Sequence, residues 1–297
     1  MQPFSNVKNE RLYRFHKLYA ESYVTNLRNL EAPWKPVIAS LLEEIVQKVC
    51  ITLGSSIDVA VQQEQPLAPP ALTTASINAD STMTSSKHKG TVYPDISVLR
   101  YLLGVNNFRT LTCNNMGHQE IDYLVCAELK RSIKRAYIRQ GLKAWNTGYK
   151  ALLDPLRNAA VQAKRQAFVA MKRPGQTNSD IILIAAVGPF WMWCLANRSQ
   201  LFDTFRGHTV EDILDDTQEA REDDILDESE LIDDADDESS ESFTPVSSAL
   251  LSPMSKEQIF RGHRENLHWS DPVMLDTELS EAALRALLQT LITVIRK

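Results

Sequence analysis

The chain is poor in cysteine, glycine and long apolar runs, and each shortage removes a class of protein. Four cysteines in 297 residues (Cys50, Cys113, Cys126 and Cys194) are widely scattered, with no pairwise metal spacing and no dense disulfide framework. A reducing compartment is the expectation that follows. The ten glycines build no glycine-rich phosphate loop and no Gly-x-Ser-x-Gly elbow, which speaks against a nucleotide-dependent kinase or a common hydrolase. The six histidines offer no pair at zinc-site spacing; His263 and His268 stand five apart without cysteine partners and read as structural or surface residues. The most apolar run, 181–196, is broken by Gly188-Pro189 and falls short of the ~20 residues a membrane span needs. Charged and polar residues follow closely on Met1 (Asn9, Glu10, Arg11) where a secretory leader would be apolar. The expectation is an intracellular protein, cytoplasmic or nuclear, with no membrane partner. Its 43% hydrophobic content is ample for one sizeable core.

The net charge of −6 conceals a segregation. Between Glu211 and Glu241 stand 17 of the 38 acidic residues and one of the 32 basic ones, Arg221, leaving 31 basic against 21 acidic residues elsewhere. A basic body carrying an acidic segment is open to a nucleic-acid partner, and the segment either screens that body or is a solvated linker.

No internal repeat is visible. Apolar residues at helical spacing (Leu12, Phe15, Leu18, Tyr19, Tyr23) make residues 1–35 an amphipathic helical segment. Pro33 and Pro36 then read as chain breaks. Val37, Ile38, Leu41, Leu42, Ile45, Val46 and Val49 predict a helix ending near Gly54, with a short strand at 57–61. Residues 62–90, rich in Gln, Pro, Ala, Ser and Thr, read as a flexible insertion. Strands are expected over 93–103 and 121–130. In the second, Ile121, Tyr123, Val125, Ala127 and Leu129 are assigned to one face, and Leu124 and Cys126 to the other. Helices over 132–151 and 155–172, joined at Asp154-Pro155, lead to a core strand over 180–187 and a further strand within 190–201. The acidic region 206–258 is expected to be disordered. Within 259–297, Thr277 caps a helix whose apolar face (Leu284, Leu287, Leu288, Leu291, Ile292, Ile295) must dock on the core or on another chain. The sum is an α/β fold, with its core over 36–205.

Three residues carry the chemistry. Residues two apart on a strand share a face, so Glu128 and Lys130 project together at the end of a buried strand while Leu129 enters the opposite layer. Charges there are costly unless paired or placed at a cleft. If the 93–103 strand lies alongside, Asp95 approaches the same spot. Two carboxylates make a hard oxygen site suited to magnesium or manganese, and the lysine can hold an attacking water and balance transition-state charge. The plainer reading is that Asp95 caps a strand and Glu128–Lys130 is a solvated ion pair.

Pro94-Asp95 and Glu128-Leu129-Lys130 in this order resemble the PD-(D/E)xK, or restriction-endonuclease-like, superfamily over roughly 36–195. In that superfamily a helix precedes a three-strand unit, proline–aspartate opens the second strand, the acidic–x–lysine triplet sits on the third, and a helix and fourth strand follow. The resemblance implies a central mixed sheet flanked by helices, Asp95 and Glu128 as Mg2+ or Mn2+ ligands and Lys130 as the catalytic lysine. It also implies an assisting acid on the first helix, Glu44 in preference to Glu43, and a post-motif glutamine, for which Gln162 and Gln166 are present. Its style, with an acidic region and a low-complexity loop, is similar to nuclease-like domains of multicopy fungal proteins. The function implied is a metal-dependent nuclease; the alternative is an inactive relative serving as a nucleic-acid- or protein-binding module.

Arg131, Lys134, Arg135, Arg139 and Lys143 follow the triplet at spacings that would form a basic stripe along a helix. That stripe reads either as a groove lining for DNA or RNA phosphates or as an ordinary exposed face. The C-terminal helix leaves a homodimer or a protein partner open.

Overall fold

The computed structural model describes residues 10–21, 31–54, 58–64, 94–102, 120–133, 142–173, 175–213 and 255–297. Helix α1 (Glu10–Glu21) precedes a short 3-10 turn (Ala32–Trp34) that runs directly into α2 (Lys35–Leu53). Pro33 and Pro36 therefore start these helices and do not interrupt the chain. At a helix start a proline has no intrahelical amide bond to lose, and its φ is preset. Gly54, at φ 92°, ends α2 in a conformation that other residues rarely adopt.

Six strands follow in a single sheet: β1 (Asp58–Gln63), β2 (Ile96–Leu102), β3 (Glu120–Lys130), β4 (Asp180–Val187), β5 (Phe190–Asn197) and β6 (Val273–Met274), in the spatial order β1-β2-β3-β4-β5-β6. All neighbours are antiparallel except β3 and β4. A parallel pair needs a long crossover, and the segment between them carries the 31-residue helix α3 (Leu142–Lys172). The break expected at Asp154-Pro155 is absent: Pro155 lies inside α3. An interior proline costs about 3 kcal/mol, but Leu152, Leu156, Ala159, Ala160, Ala163 and Ala167 are all fully buried on either side of it. That packing outweighs the lost bond, and the alanines let the helix approach the sheet closely. The helix expected from residue 132 is also corrected, since 131–133 are not helical and 134–141 lie outside the described residues.

Short helices α4 (Arg198–Thr204) and α5 (Lys256–Ile259) and the long α6 (Glu278–Arg296) complete the fold. One core layer lies between the sheet and α3, the other between the sheet and α2 with α6. The protein is thus α/β, a mixed six-stranded sheet flanked by helices. The apolar face of α6 docks on its own chain, with Leu284, Leu287, Leu291, Ile292 and Ile295 buried in the second layer. The acidic region is entered by a buried Ile213 and left at Ser255; residues 214–254 lie outside the described part, as do 65–93 of the expected insertion.

Strand β3 departs from simple alternation. Val98 pairs with Val125 but Leu99 pairs with Tyr123, so Leu124 is an extra residue in the ladder. This β-bulge reverses the facing of everything before it. Tyr123 packs with Cys126 in the α3 layer, and Ile121 packs against that layer, while Leu124, Val125, Ala127 and Leu129 fill the other. Tyr123 and Ile121 therefore do not share the face of Val125, as strict alternation would have it. The stretch from Val125 to Lys130 keeps the expected alternation.

Candidate functional site

The antiparallel register that sets Ile96 opposite Ala127 brings Asp95 to the end of β3. The backbone amide of Leu129 donates to Asp95 Oδ2 at 2.7 Å, which fixes the carboxylate beside the triplet. Asp95 is 4% exposed and Glu128 2%. Lys130 Nζ lies 3.6 Å from Glu128 Oε1, and Gln166 Nε2, from α3, donates to Glu128 Oε2 at 2.5 Å. Asp95, Glu128, Lys130 and Gln166 are thus brought together. The site stands at the carboxyl ends of the parallel pair β3–β4, where open α/β sheets generally place their ligands. The two-residue Gly188-Pro189 turn closes β4 onto β5 beside it. Gly188 has φ 56°, and a Cβ there would come within 2.2 Å of Ser132 Oγ, just beyond Lys130. A glycine-first hairpin turn is therefore required at this corner.

Glu44 is buried on α2. It lies nine residues along α2 from Lys35, about 13 Å at the helical rise, where it accepts from Lys48 at 2.7 Å. Glu43, its neighbour, is exposed. An acid does stand beside Asp95 at the start of this helical stretch: Glu31, just ahead of the 3-10 turn. With it comes Lys35, the first residue of α2, whose ammonium lies 2.8 Å from Asp95 Oδ1, 3.1 Å from Glu64 Oε1 and 3.5 Å from Glu31 Oε1. Neither Glu31 nor Lys35 was singled out by the motif. Their signal was present as Pro33 and Pro36, which mark a helix start and so bring both residues to one end of α2.

The electrostatics record crowding of like charge. Burial, then the Asp95 carboxylate, push the protonation of Glu128 up to about 8; Lys130 and the Gln166 amide act against them. Burial and Asp95 likewise push Glu31 up to about 7, opposed by Lys35 and Lys130. Two carboxyls displaced upward at one spot are what a like-charge cluster in low dielectric produces, and such groups concentrate at functional sites.

Among the described residues no three acidic, histidine or cysteine side chains form a ready-made metal cage. Magnesium and manganese do not need one, since such ions keep several waters and are bound by one or two carboxylates. The donor set fits. Among the described residues Glu31, Glu64, Asp95 and Glu128 gather about Lys35 and Lys130, four acids to two ammonium groups, a formal imbalance that a divalent cation would reduce.

Of the basic stripe, only its two ends are described. Arg131 is exposed and non-helical, Lys134, Arg135 and Arg139 lie outside the described residues, and Lys143 is in the first turn of α3. Trp191 is core, with its Nε1 donating to Ser280 Oγ at 3.1 Å. No described helix is long and apolar enough to cross a membrane.

Fold and site together define a three-layer α/β protein with a buried carboxylate–ammonium constellation at the carboxyl ends of β3 and β4. No family model, curated protein or solved structure matches the chain.

Proposed function

We propose that this protein is a metal-dependent phosphodiesterase of the PD-(D/E)xK type acting on nucleic acid. The observation that carries the reading is the convergence of Asp95, Glu128, Lys130 and Gln166 from two hydrogen-bonded strands and the crossover helix. The order of elements supports it too: helix α2, the three-strand unit β1–β3 with Asp95 ahead of the second and Glu128–Lys130 ending the third, helix α3, then strand β4. Asp95 and Glu128 would hold Mg2+ or Mn2+, which when bound supplies Lewis acidity toward a phosphate oxygen. Lys130, its ammonium 3.6 Å from Glu128 Oε1, can position an attacking water and offset negative charge developing on the phosphate. Gln166 fixes the Glu128 carboxylate by holding one of its oxygens. Arg131, exposed next to Lys130, is suited to a flanking phosphate.

A second reading, a non-catalytic binding module on the same fold, is favoured by one observation: Asp95 Oδ1 already has an internal cation, Lys35. One experiment separates the two. Purified protein is incubated with DNA and with RNA in Mg2+ or Mn2+, alongside Asp95→Asn, Glu128→Gln and Lys130→Ala. The nuclease reading expects cleavage by the wild type and a loss of at least a hundredfold in each variant. Absence of cleavage on both polymers, or variants that cut like the wild type, would sink it.

A further inference from the structure

Lys35 occupies an unfavourable place for a cation. It begins α2, at the positive end of the helix dipole, where a lysine is disfavoured. Nothing in the helix explains it; the surrounding carboxylates do. Each of its three N–H groups has an acid within reach: Asp95 Oδ1 at 2.8 Å, Glu64 Oε1 at 3.1 Å and Glu31 Oε1 at 3.5 Å. Glu64 is built for the purpose at a cost. It holds φ 52°, a left-handed conformation uncommon for a non-glycine residue, and its amide is tied to the Asp95 carbonyl at 3.1 Å. Burial works against the Lys35 charge, but Asp95, Glu64 and Glu31 together push its protonation well above the ordinary lysine range.

We propose that Lys35 is the resident counter-ion of the Asp95 carboxylate, holding the place of a divalent cation and setting the site's metal affinity by competing with it. The inference rests on the reading of Asp95 as a metal ligand. Asp95 Oδ2 is engaged by the Leu129 amide, so Oδ1 is the oxygen a metal would share or take. An ammonium on that oxygen repels a dication and must loosen or swing away when one binds. A purely structural ion pair would have the opposite signature, since its loss would disturb Asp95 and weaken metal binding.

The test is Mn2+ binding to the full chain by titration calorimetry, with folding of each variant checked by circular dichroism. Lys35→Gln keeps a hydrogen-bond donor for Asp95 and drops the charge; Lys35→Met drops both; Lys35→Arg keeps the charge. The expected result is at least tenfold tighter Mn2+ binding in Lys35→Gln and Lys35→Met, wild-type affinity in Lys35→Arg, and no gain when Asp95→Asn is added to Lys35→Gln. Thermal melts give a second readout: Lys35→Gln should melt below wild type in EDTA and gain more than wild type when Mn2+ is added. If Lys35→Gln binds no tighter while Asp95→Asn abolishes wild-type binding, the counter-ion role is overturned and the metal-site reading stands. If neither wild type nor Lys35→Gln binds Mn2+, both fall together.

Discussion

At the scale of single residues, Glu128 is the group whose behaviour most directly reports the site. Its carboxyl titrates near 4.5 when free and is pushed up to about 8 in the fold, by burial first and by Asp95 second. Between those values the folded state binds the proton that the unfolded state has released. Stability is therefore fully present below about 4.5, declines as pH rises through the window, and levels off above about 8. Glu31, raised to about 7, adds a decline in the same direction. In EDTA the urea midpoint should fall across this range, and Glu128→Gln should flatten the fall. Mn2+ should reverse it, because the ion binds the ionised carboxylate. A midpoint that rises over the same interval would contradict the buried, like-charge description. Asp95, Glu128 and Lys130 were legible in the sequence because period two and a proline–aspartate mark positions on strands. Glu31 and Lys35 were not, although Pro33 and Pro36 mark the helix start that carries them. Their role depends on where the start of α2 lies over a strand some 60 residues later, which no local pattern encodes.

At the scale of elements, the positions of the strands were readable, their pairing only as a condition on the 93–103 and 121–130 strands, and their facing only partly. Apolar runs and turn residues located β2 through β5, but the bulge at Leu124 has no signature in residue type, since a leucine fits either face. Pro155 misled for a related reason: local propensity predicts a break that the burial of Leu152, Leu156 and the alanine row overrides. Asp122 shows what locks the sheet at the end away from the site. It is fully buried, pairs with Arg100 across β2 and β3, and accepts from the Thr177 and Asn178 amides at 2.6 and 3.1 Å and from the Thr177 hydroxyl at 2.8 Å. Burial opposes its charge, yet Arg100 and the Thr177 hydroxyl, then the two amides, hold its protonation below the ordinary aspartate range. One carboxylate thus fixes the entry to β4 and the β2–β3 register together. Removing a buried partner strands the other charge, typically at about 3–5 kcal/mol. Asp122→Ala should lose that much in urea unfolding while leaving Mn2+ affinity of the folded protein unchanged. A variant with wild-type stability would show that the lock is not structural.

At the scale of the whole molecule, the decisive element is α6, the last in the chain. Its capping threonine and apolar stripe were legible in the sequence, but its destination was not, because an apolar helix face fits its own core and a second chain equally well. In the structure the face is buried in the chain's own core, and polar atoms hold the helix end there. Asn178 Nδ2 donates to the Val294 carbonyl at 2.8 Å, Arg100 donates to the Ile295 carbonyl at 2.9 Å, and Lys297 Nζ reaches Asp180 Oδ2 at 2.5 Å. The terminal carbonyls of a helix have no partners within it, and here two are satisfied by side chains of the sheet end that Asp122 organises. Helix α6 thus closes the second core layer and joins the lock at the same time. The apolar stripe that made a homodimer through this helix attractive is used within the chain. Leu291→Ala, a truncation at a buried position, should therefore cost about 2–5 kcal/mol in urea unfolding and leave the sedimentation coefficient of the native protein unaltered. Had the stripe served a dimer, the same change would shift the sedimentation profile with protein concentration, and its stability cost would depend on that concentration. Stability that tracks concentration in the wild type and ceases to do so in Leu291→Ala would overturn the intramolecular docking of α6.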